Sequence, residues 1–273
     1  WTTTAWTLSS NVKAAVHPDL DYVKVKQGDN IYYLANGRLS ILQGDYEILE
    51  TLKGKAMHGW EYHGPFDELP IQQDIQHSVI FWDEISENDG TGIVHIAPGC
   101  GKEDNALAKE MDFQVIKPID EFGNYLDGFG AWTGTNVMGN SDKVIDDLSN
   151  KGLRYKREPI THRYPTCWRH GTELVFRPVD EWFIAMDKLR PEIAEVTKQV
   201  NWIPSYGKER ELDWLKNMSD WMISKKRYWG LALPIWIFED GSFYVVGSET
   251  ELKELAVEGW DDFDGKTPHR PWI

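Results

Sequence analysis

The chain has 273 residues and a formal net charge of -15. That length fits one large domain or two of ordinary size. Hydrophobic residues make up 41% of the sequence and aromatic residues 13%, which excludes a disordered chain and predicts a folded core. The negative charge argues against indiscriminate binding to nucleic acid, because a phosphate backbone attracts clustered lysine and arginine.

The sequence contains two cysteines, Cys100 and Cys167, far apart along the chain. This excludes a disulfide-dense secreted scaffold and favours a reducing compartment. No apolar run approaches the roughly 20 residues that span a bilayer, and the first residues show no signal-peptide pattern. We therefore expect a cytoplasmic location and no membrane partner. Because the chain begins on Trp1 without an initiator methionine, we also expect it to be a piece of a longer protein.

The first hundred residues predict mainly β-structure. Short runs of β-branched and aromatic residues alternate with turn sequences such as Gln27-Gly28-Asp29 and Asn36-Gly37, a pattern typical of a meander or a barrel. The predicted strands are 14–17, 22–26, 30–35, 40–42, 46–52, 78–82 and 92–96.

Helices and strands mix beyond residue 104. The sequence predicts a helix over 105–111 and a strand over 114–116. A second helix begins at Ser141 or Asp142, which can cap it, and ends near Asn150, before Lys151-Gly152.

The composition changes after Arg177, and a second structural unit is predicted to begin near Asp180. This unit is predicted to contain a strand over 179–186, a helix over 188–200 that opens near Pro191, an apolar segment over 229–238, a strand over 243–246 and a helix over 249–256.

A glycine-bearing loop follows the predicted strand that contains His95. The sequence from Gly90 to Asp104 (GTGIVHIAPGCGKED) places a strand, a loop and a helix start in succession. Such a junction exposes backbone N–H groups and favours the negative charge of Asp104 near the helix N-terminus. His95 and Asp104 can converge on one cavity, where they could bind an amine, orient a water or act as acid and base. On residue types alone, a structural role in the turn is the commoner outcome.

Four threonines lie between and after two tryptophans in the first seven residues, WTTTAWT. Threonine hydroxyls can donate to a carbonyl or hold a water, and their methyl groups can shape a small pocket. Composition alone favours the alternative of a threonine-rich β-strand.

Together these motifs resemble the editing domain of the isoleucyl-tRNA synthetase family, a class I insertion shared in related form by the valyl and leucyl enzymes. The match rests on Trp1 to Asn11 (WTTTAWTLSSN) and Gly90 to Asp104. Segments 162–170 (HRYPTCWRH), 180–183 (DEWF) and 219–230 (SDWMISKKRYWG) resemble the return into the catalytic core. The resemblance implies an α+β fold, with a β-barrel editing domain and flanking helices over 1–177. Residues 178–273 would form a partial catalytic-core segment with the second connective insertion.

The activity implied by the resemblance is hydrolysis of valine wrongly attached to tRNA(Ile). One missing methylene gives a synthetic site only about 1 to 3 kcal/mol of discrimination, and this family is itself the standard example of that limit. The implied partners are the tRNA(Ile) 3′ end carrying valine and the remainder of the synthetase. Editing would need no cofactor, whereas the parent enzyme would use ATP and Mg to ligate isoleucine. The chain lacks the two ATP-binding signatures of this class, so we expect no amino-acid activation by it alone.

The resemblance also implies roles for individual residues. Asp104 would hold the α-ammonium of the substrate through a charge-assisted contact. Thr2, Thr3 and Thr4 would line the pocket and hold the attacking water, and His95 would exclude the extra methyl of isoleucine. The implied substrate-binding residues are Trp6, Asn11, Gly92, Ala97 and Gly99. No side-chain nucleophile or metal is implied, since a positioned water and a stabilised oxyanion suffice.

Two departures from the family pattern leave alternatives open. Ala5 stands where the family often has proline, and Cys100 where it often has histidine. Cys100 could be a reactive thiol, or a metal-dependent hydrolase could use His95, Cys100 and Asp104. Cys167 has the spacing of half a zinc site with the histidine three residues on, but two ligands are too few for a closed site.

A noncatalytic module that grips the tRNA 3′ end is a further alternative. Segment 151–170 holds six basic residues against one acidic residue, although such a run is more often a solvated face. The basic residues are Lys151, Arg154, Lys156, Arg157, Arg163 and Arg169.

Overall fold

The computed structural model describes residues 1–161, 163–224, 232–263 and 266. The chain divides into two compact units, Trp1–Pro178 and Val179–Ile273. This boundary lies beside the predicted composition change, while the assignment of the units to an editing domain and a catalytic-core segment stays a prediction. Within the described ranges, no helix is long and apolar enough to cross a membrane.

Two three-stranded sheets form the frame of the first unit. One sheet is antiparallel in the order β3-β2-β4, with β2 at Asp21–Gln27, β3 at Asn30–Ala35 and β4 at Glu47–Lys53. In the other sheet, the central strand β1 (Lys13–Val16) pairs parallel with β5 (Ser78–Phe81) and antiparallel with β6 (Ile93–Ile96).

A shared core joins the two sheets. Val16 and Val79 from the second sheet cluster with Tyr22 and Ala35 from the first. The Tyr22 hydroxyl donates to the Gly92 carbonyl at 2.8 Å, and the Ala35 N–H donates to the Thr91 carbonyl at 2.8 Å. The start of β6 is therefore fixed against the first sheet. This contact determines the position of the side chains on β6.

Helices and 3-10 segments complete the first unit. The α-helices are α1 (Lys102–Met111) and α2 (Ser141–Asn150). The 3-10 segments are Ala5–Ser10, Asn36–Ile41, Gly54–Met57, Pro70–Gln72, Gly130–Trp132 and Val137–Gly139. A second core cluster, which includes Trp6, Phe66, Tyr125 and Phe129, packs the first of these segments against α2.

In the second unit, the described residues form two small sheets and four helices. Strand β7 (Phe183–Ile184) pairs with β8 (Trp221–Met222), and β9 (Ile235–Ile237) pairs with β10 (Phe243–Val245). The helices are α3 (Leu189–Gln199), α4 (Gly207–Asn217), α5 (Glu249–Leu255) and α6 (Trp260–Phe263).

Two of the segments that resemble the return to the catalytic core meet in this second unit. The Trp182 N–H donates to Ser224 Oγ at 2.7 Å, and the Ile223 N–H donates to the Trp182 carbonyl at 2.9 Å. Segments 180–183 and 219–224 are thus joined beside the β7–β8 pair. Residues 225–230, and His162 of the earlier motif, lie outside the described residues.

The mixed α/β architecture with small sheets agrees with the predicted α+β class. Several predictions for individual strands and helices were wrong. Segment 40–42 lies at the end of the Asn36–Ile41 3-10 segment, because the turn that opens at Asn36-Gly37 continues into it. Segment 114–116 pairs with no strand in the part of the chain that the structure describes; the carbonyl of Ile116 instead packs on Gly99. Helix α4 was not predicted, and the apolar segment 229–238 falls partly outside the described residues.

Gly99→Ala is expected to destabilise the first unit. An added Cβ would lie 1.8 Å from the backbone oxygen of Ile116, and a backbone carbonyl cannot yield as a flexible side chain does. We expect a loss of about 2 kcal/mol or more in unfolding free energy, measured by thermal or urea unfolding. Gly139→Ala is the matched control, because a Cβ there meets nothing within 4 Å. Equal stability of the two variants would contradict this account.

Candidate active site

A cavity of about 290 Å³ in the first unit collects side chains from three separate parts of the chain. These parts are the first seven residues, segment 94–104, and a later hairpin that contributes two aromatic rings. The lining residues are Trp1, Thr2, Thr3, Thr4, Trp6, Thr7, Val94, His95, Ala97, Cys100, Gly101, Lys102, Glu103, Asp104, Tyr164 and Phe176. Seven of the ten predicted site residues are therefore brought together.

The threonine-rich stretch forms a turn followed by a 3-10 helix, and the alternative of a threonine-rich β-strand is wrong. Thr2 Oγ1 accepts a hydrogen bond from the Thr4 N–H at 3.0 Å, and the Thr7 hydroxyl donates to the Thr4 carbonyl at 2.8 Å. The helix begins at Ala5. Threonine hydroxyls compete for nearby backbone groups in this way, which favours turns over an extended strand.

His95 is held by Thr7 across the cavity. Its Nε2 lies 3.0 Å from Thr7 Oγ1. Because the Thr7 hydroxyl proton is directed to the Thr4 carbonyl, we assign the proton of the imidazole to Nε2, which donates to Thr7. The Nδ1 atom of His95 is buried and has no hydrogen-bond partner among the described residues.

Burial lowers the pKa of His95 to about 3, because a desolvated imidazolium is unfavourable. The ring is therefore neutral across the physiological range. With Nε2 donating to Thr7, Nδ1 carries a lone pair that meets no donor among the described residues and is closed off from solvent.

Asp104 occupies the first turn of α1, where its charge is favoured by the helix N-terminus. One carboxylate oxygen, Oδ2, accepts a hydrogen bond from the Ala97 N–H at 2.8 Å. Burial raises the pKa of Asp104, and the Ala97 hydrogen bond opposes that rise. Gly101 lies close to the carboxylate, since a Cβ on it would be 3.2 Å from Asp104 Cγ. The Ala97 bond uses one oxygen and leaves the other able to meet a cation.

Three predicted substrate-binding residues, Asn11, Gly92 and Gly99, lie outside the cavity lining and have structural roles. The Asn11 side chain donates to the Lys13 carbonyl and accepts from the Tyr62 hydroxyl. Gly92 has a φ of +70°, and a Cβ on it would lie 2.4 Å from the Cβ of Ala35. Gly99 meets the Ile116 carbonyl as described above. In each case close packing or local hydrogen bonding accounts for the residue type.

Nine of the sixteen lining residues were not among the predicted site residues, and two of these, Tyr164 and Phe176, also lie outside segments 1–11 and 90–104. Thr7 carries a detectable signal, since it follows Thr4 at the three-residue spacing of a 3-10 turn. Tyr164 and Phe176 are about 70 to 80 residues from His95 in sequence and reach the cavity only through the tertiary fold. The Tyr164 hydroxyl donates to the Leu174 carbonyl at 3.0 Å, which fixes the base of the hairpin.

The alternatives based on Cys100 find little support in the geometry. Burial raises the pKa of the Cys100 thiol, so the thiolate needed for nucleophilic attack is disfavoured. Among the described residues, no three His, Cys, Asp or Glu side chains are placed to hold one metal ion. Cys167 Sγ and His170 Nδ1 do meet, at 3.3 Å, but they supply two ligands only.

The basic segment is partly neutralised by neighbouring carboxylates. Lys151 pairs with Glu68 and with Asp147. Two further pairs, Lys156–Glu158 and Arg157–Asp142, involve the same segment. At least three of its six basic residues are thus ion-paired among the described residues of the first unit, which favours a charge-balanced surface over a dedicated nucleic-acid face.

Comparison with known proteins establishes the class to which the chain belongs. The family described as tRNA synthetases class I (I, L, M and V) matches residues 9–264. The chain belongs to this family.

Curated relatives confirm the resemblance to isoleucyl-tRNA synthetase. The isoleucine-tRNA ligase of Methanothermobacter marburgensis is 40% identical over 277 residues, which cover 100% of this chain and 26% of the relative. That of Archaeoglobus fulgidus is 42% identical over 285 residues, covering 100% of this chain and 27% of the relative. The chain therefore spans about a quarter of the length of the curated relatives it matches.

Solved structures give a weaker similarity. A chain named GlLeuRS-CP1 matches with a TM-score of 0.48 and 15% identity, over 58% of this chain and 83% of its own length. The cytosolic leucyl-tRNA synthetase editing domain of P. knowlesi matches with a TM-score of 0.40 and 10% identity, over 56% and 80%. TM-scores below 0.5 do not establish a shared fold.

The protonation of His95 gives a direct test of this site. We expect ¹⁵N NMR to show the neutral Nε2–H tautomer at pH 7 and still at pH 5, because the pKa is lowered to about 3. In the unfolded chain His95 takes up a proton below about pH 6.5, whereas the folded protein keeps the ring neutral. The contribution of neutral His95 to the free energy of unfolding is therefore present above about pH 6.5 and is lost as the pH falls toward 3. Thr7→Val removes the acceptor of Nε2 and should reduce the share of this tautomer. A His95 titration near pH 6.5 would contradict the assignment.

Proposed function

We propose that the cavity hydrolyses the ester that joins valine to tRNA(Ile), and so edits misacylated tRNA. The observation that carries the proposal is the convergence of neutral His95, the threonine turn and Asp104 in one cavity. Membership of the class I tRNA synthetases supports it. Ligation of isoleucine to tRNA with ATP and Mg would belong to the longer protein, of which this chain covers about a quarter.

Asp104 would anchor the substrate by its α-ammonium group. The Ala97 N–H engages one carboxylate oxygen, and the second can accept from the ammonium in a charge-assisted contact. A cation in the cavity would also favour the ionised form of Asp104, whose pKa burial raises. Because every amino acid carries this group, Asp104 would provide affinity and position without selecting the side chain.

The threonine hydroxyls, and not His95, would hold the attacking water. A base with a pKa of about 3 is too weak to remove a proton from water effectively at neutral pH. His95 would instead act through its Nε2–H, which holds the Thr7 hydroxyl at the cavity at 3.0 Å. Thr2, Thr3 and Thr4 supply further hydroxyls at the same cavity. The rate enhancement would come from orientation and from stabilisation of the oxyanion, with no covalent intermediate.

Selection of valine over isoleucine would be steric. His95 is fixed by Thr7 at 3.0 Å, so its ring cannot move aside to admit one more methyl group without loss of that bond. Trp6, which lines the same cavity and is 4% exposed, is also held in place. In the proposed fold, the two sheets that carry Tyr22 and His95 are parts of the β-barrel of an editing domain.

The proposed partners are the 3′ end of tRNA(Ile) carrying valine and the remainder of the synthetase, and editing would use no cofactor. The proposed location is the cytoplasm. A noncatalytic tRNA-binding role is the alternative, and it predicts binding without hydrolysis.

The decisive assay is deacylation of valyl-tRNA(Ile) by the 273-residue chain. We expect Asp104→Asn, which removes the charge and keeps the shape, to lower kcat/KM about ten- to a hundredfold, from the loss of a charged hydrogen bond. Asp146→Asn on the exposed surface of α2 is the matched control and should retain wild-type activity.

Three outcomes would contradict the proposal or part of it. If valyl-tRNA(Ile) is hydrolysed at the same rate by wild type and Asp104→Asn, the cavity is not the hydrolytic site. If a chelator abolishes activity, the reaction depends on a metal and the water-positioning account fails. Valyl-tRNA(Ile) should be hydrolysed faster than isoleucyl-tRNA(Ile), and the reverse preference would remove the assigned specificity.

A further inference from the structure

The 3-10 helix Ala5–Ser10 is held by three side chains that do not line the cavity. The Tyr125 hydroxyl donates to the Trp6 carbonyl at 3.0 Å. The Gln72 side-chain amide donates to the Ser9 carbonyl at 2.7 Å. At the end of the helix, the Tyr62 hydroxyl donates to Asn11 Oδ1 at 2.7 Å. A 3-10 helix of this length has weak internal hydrogen bonds, so these external bonds contribute a large share of its order.

Tyr125 makes the most direct contact with a cavity residue. Its ring meets the ring of Trp6 edge-on, with centroids 6.4 Å apart and an interplanar angle of 79°. Tyr125 is 2% exposed and packs against Phe129 at 4.9 Å and Trp132 at 6.1 Å between ring centroids. Tyr125 thus contacts both the backbone and the side chain of Trp6, and its own ring is packed within an aromatic cluster.

The backbone of Tyr125 is itself fixed by a tight turn-containing segment. Its N–H donates to the Thr135 carbonyl at 2.9 Å, and its carbonyl accepts from the Gly134 N–H at 2.8 Å. Burial raises the pKa of the phenol to about 12, so the hydroxyl remains protonated and able to donate throughout the physiological range. The support therefore does not change with pH under working conditions.

We infer that Tyr125 is a positioning residue for the cavity, acting through the Trp6 carbonyl. Thr7 follows Trp6 directly and holds His95 Nε2, so a shift of the backbone at Trp6 displaces the group that orients the imidazole. A displacement of about 1 Å in a reacting geometry can cost about a hundredfold in rate. The inference rests on the proposed hydrolytic function, because positioning is defined here by its effect on that reaction.

Tyr125→Phe in the 273-residue chain tests the inference, since it removes the hydroxyl and keeps the ring. We expect kcat for valyl-tRNA(Ile) deacylation to fall about tenfold with KM changed less than twofold, because Asp104 lies on a different segment. Amide hydrogen exchange over residues 5–10 should become faster at the same time. Tyr155→Phe is the matched control: it removes a hydroxyl bonded to Gln27 at 2.8 Å, away from the 3-10 helix, and should change neither quantity.

Unchanged kcat and unchanged exchange over residues 5–10 in Tyr125→Phe would overturn the inference. An equal fall in kcat for Tyr155→Phe would also overturn it, because the effect would then be general destabilisation. If Tyr125→Phe does not fold, Ser9→Ala removes the other side-chain donor to the Trp6 carbonyl, at 2.8 Å, and is judged by the same two readouts. If the wild-type chain hydrolyses nothing, the proposed function fails, and the exchange measurement alone decides whether Tyr125 orders the helix.

Discussion

The hydrogen bond between Thr7 Oγ1 and His95 Nε2, 3.0 Å long, joins two of the three parts of the chain from which the cavity is built. The bond requires that β6 place His95 beside Thr7. Tyr22 fixes the start of β6 by donating a hydrogen bond to the Gly92 carbonyl. On the other side, Tyr125 holds the backbone beside Thr7. The arrangement thus depends on buried phenols that contact the backbone of the site without lining the cavity.

Desolvation then determines what chemistry this arrangement can perform. It keeps His95 uncharged and Cys100 protonated, which disfavours an imidazolium acid and a thiolate nucleophile. Asp104 is the exception, because the Ala97 N–H and the start of α1 offset part of the burial penalty. Lys102 and Glu103 also line the cavity, and Asp104 is the carboxylate that the Ala97 N–H holds in place there. Such a site suits a cationic amino group beside a neutral ester and acts by positioning water.

The sequence located most of the candidate site and much less of its geometry. Thr2, His95 and Asp104 were identifiable because two motifs resembling one family occur in order, although each residue alone favoured a structural role. The turn over the threonines was not predictable from composition, since β-propensity favours a strand and local hydroxyl bonds decide otherwise. Tyr164 could not be found, because it reaches the cavity through contacts distant in sequence. The binding role of Gly99 stays a prediction, and close packing against a carbonyl is enough to explain its residue type.

The central claim is that Asp104 in this cavity binds the α-ammonium of an aminoacyl ester. It is tested most directly by calorimetric binding of two non-hydrolysable adenosine analogues, one carrying a 3′-amide-linked valyl group and one an isovaleryl group without the amine. We predict that the wild-type chain binds the valyl analogue at least tenfold more tightly, as expected for a charged hydrogen bond, and that Asp104→Asn binds both equally. Equal binding of the two analogues by the wild type, or an amine preference that survives in Asp104→Asn, would contradict the account.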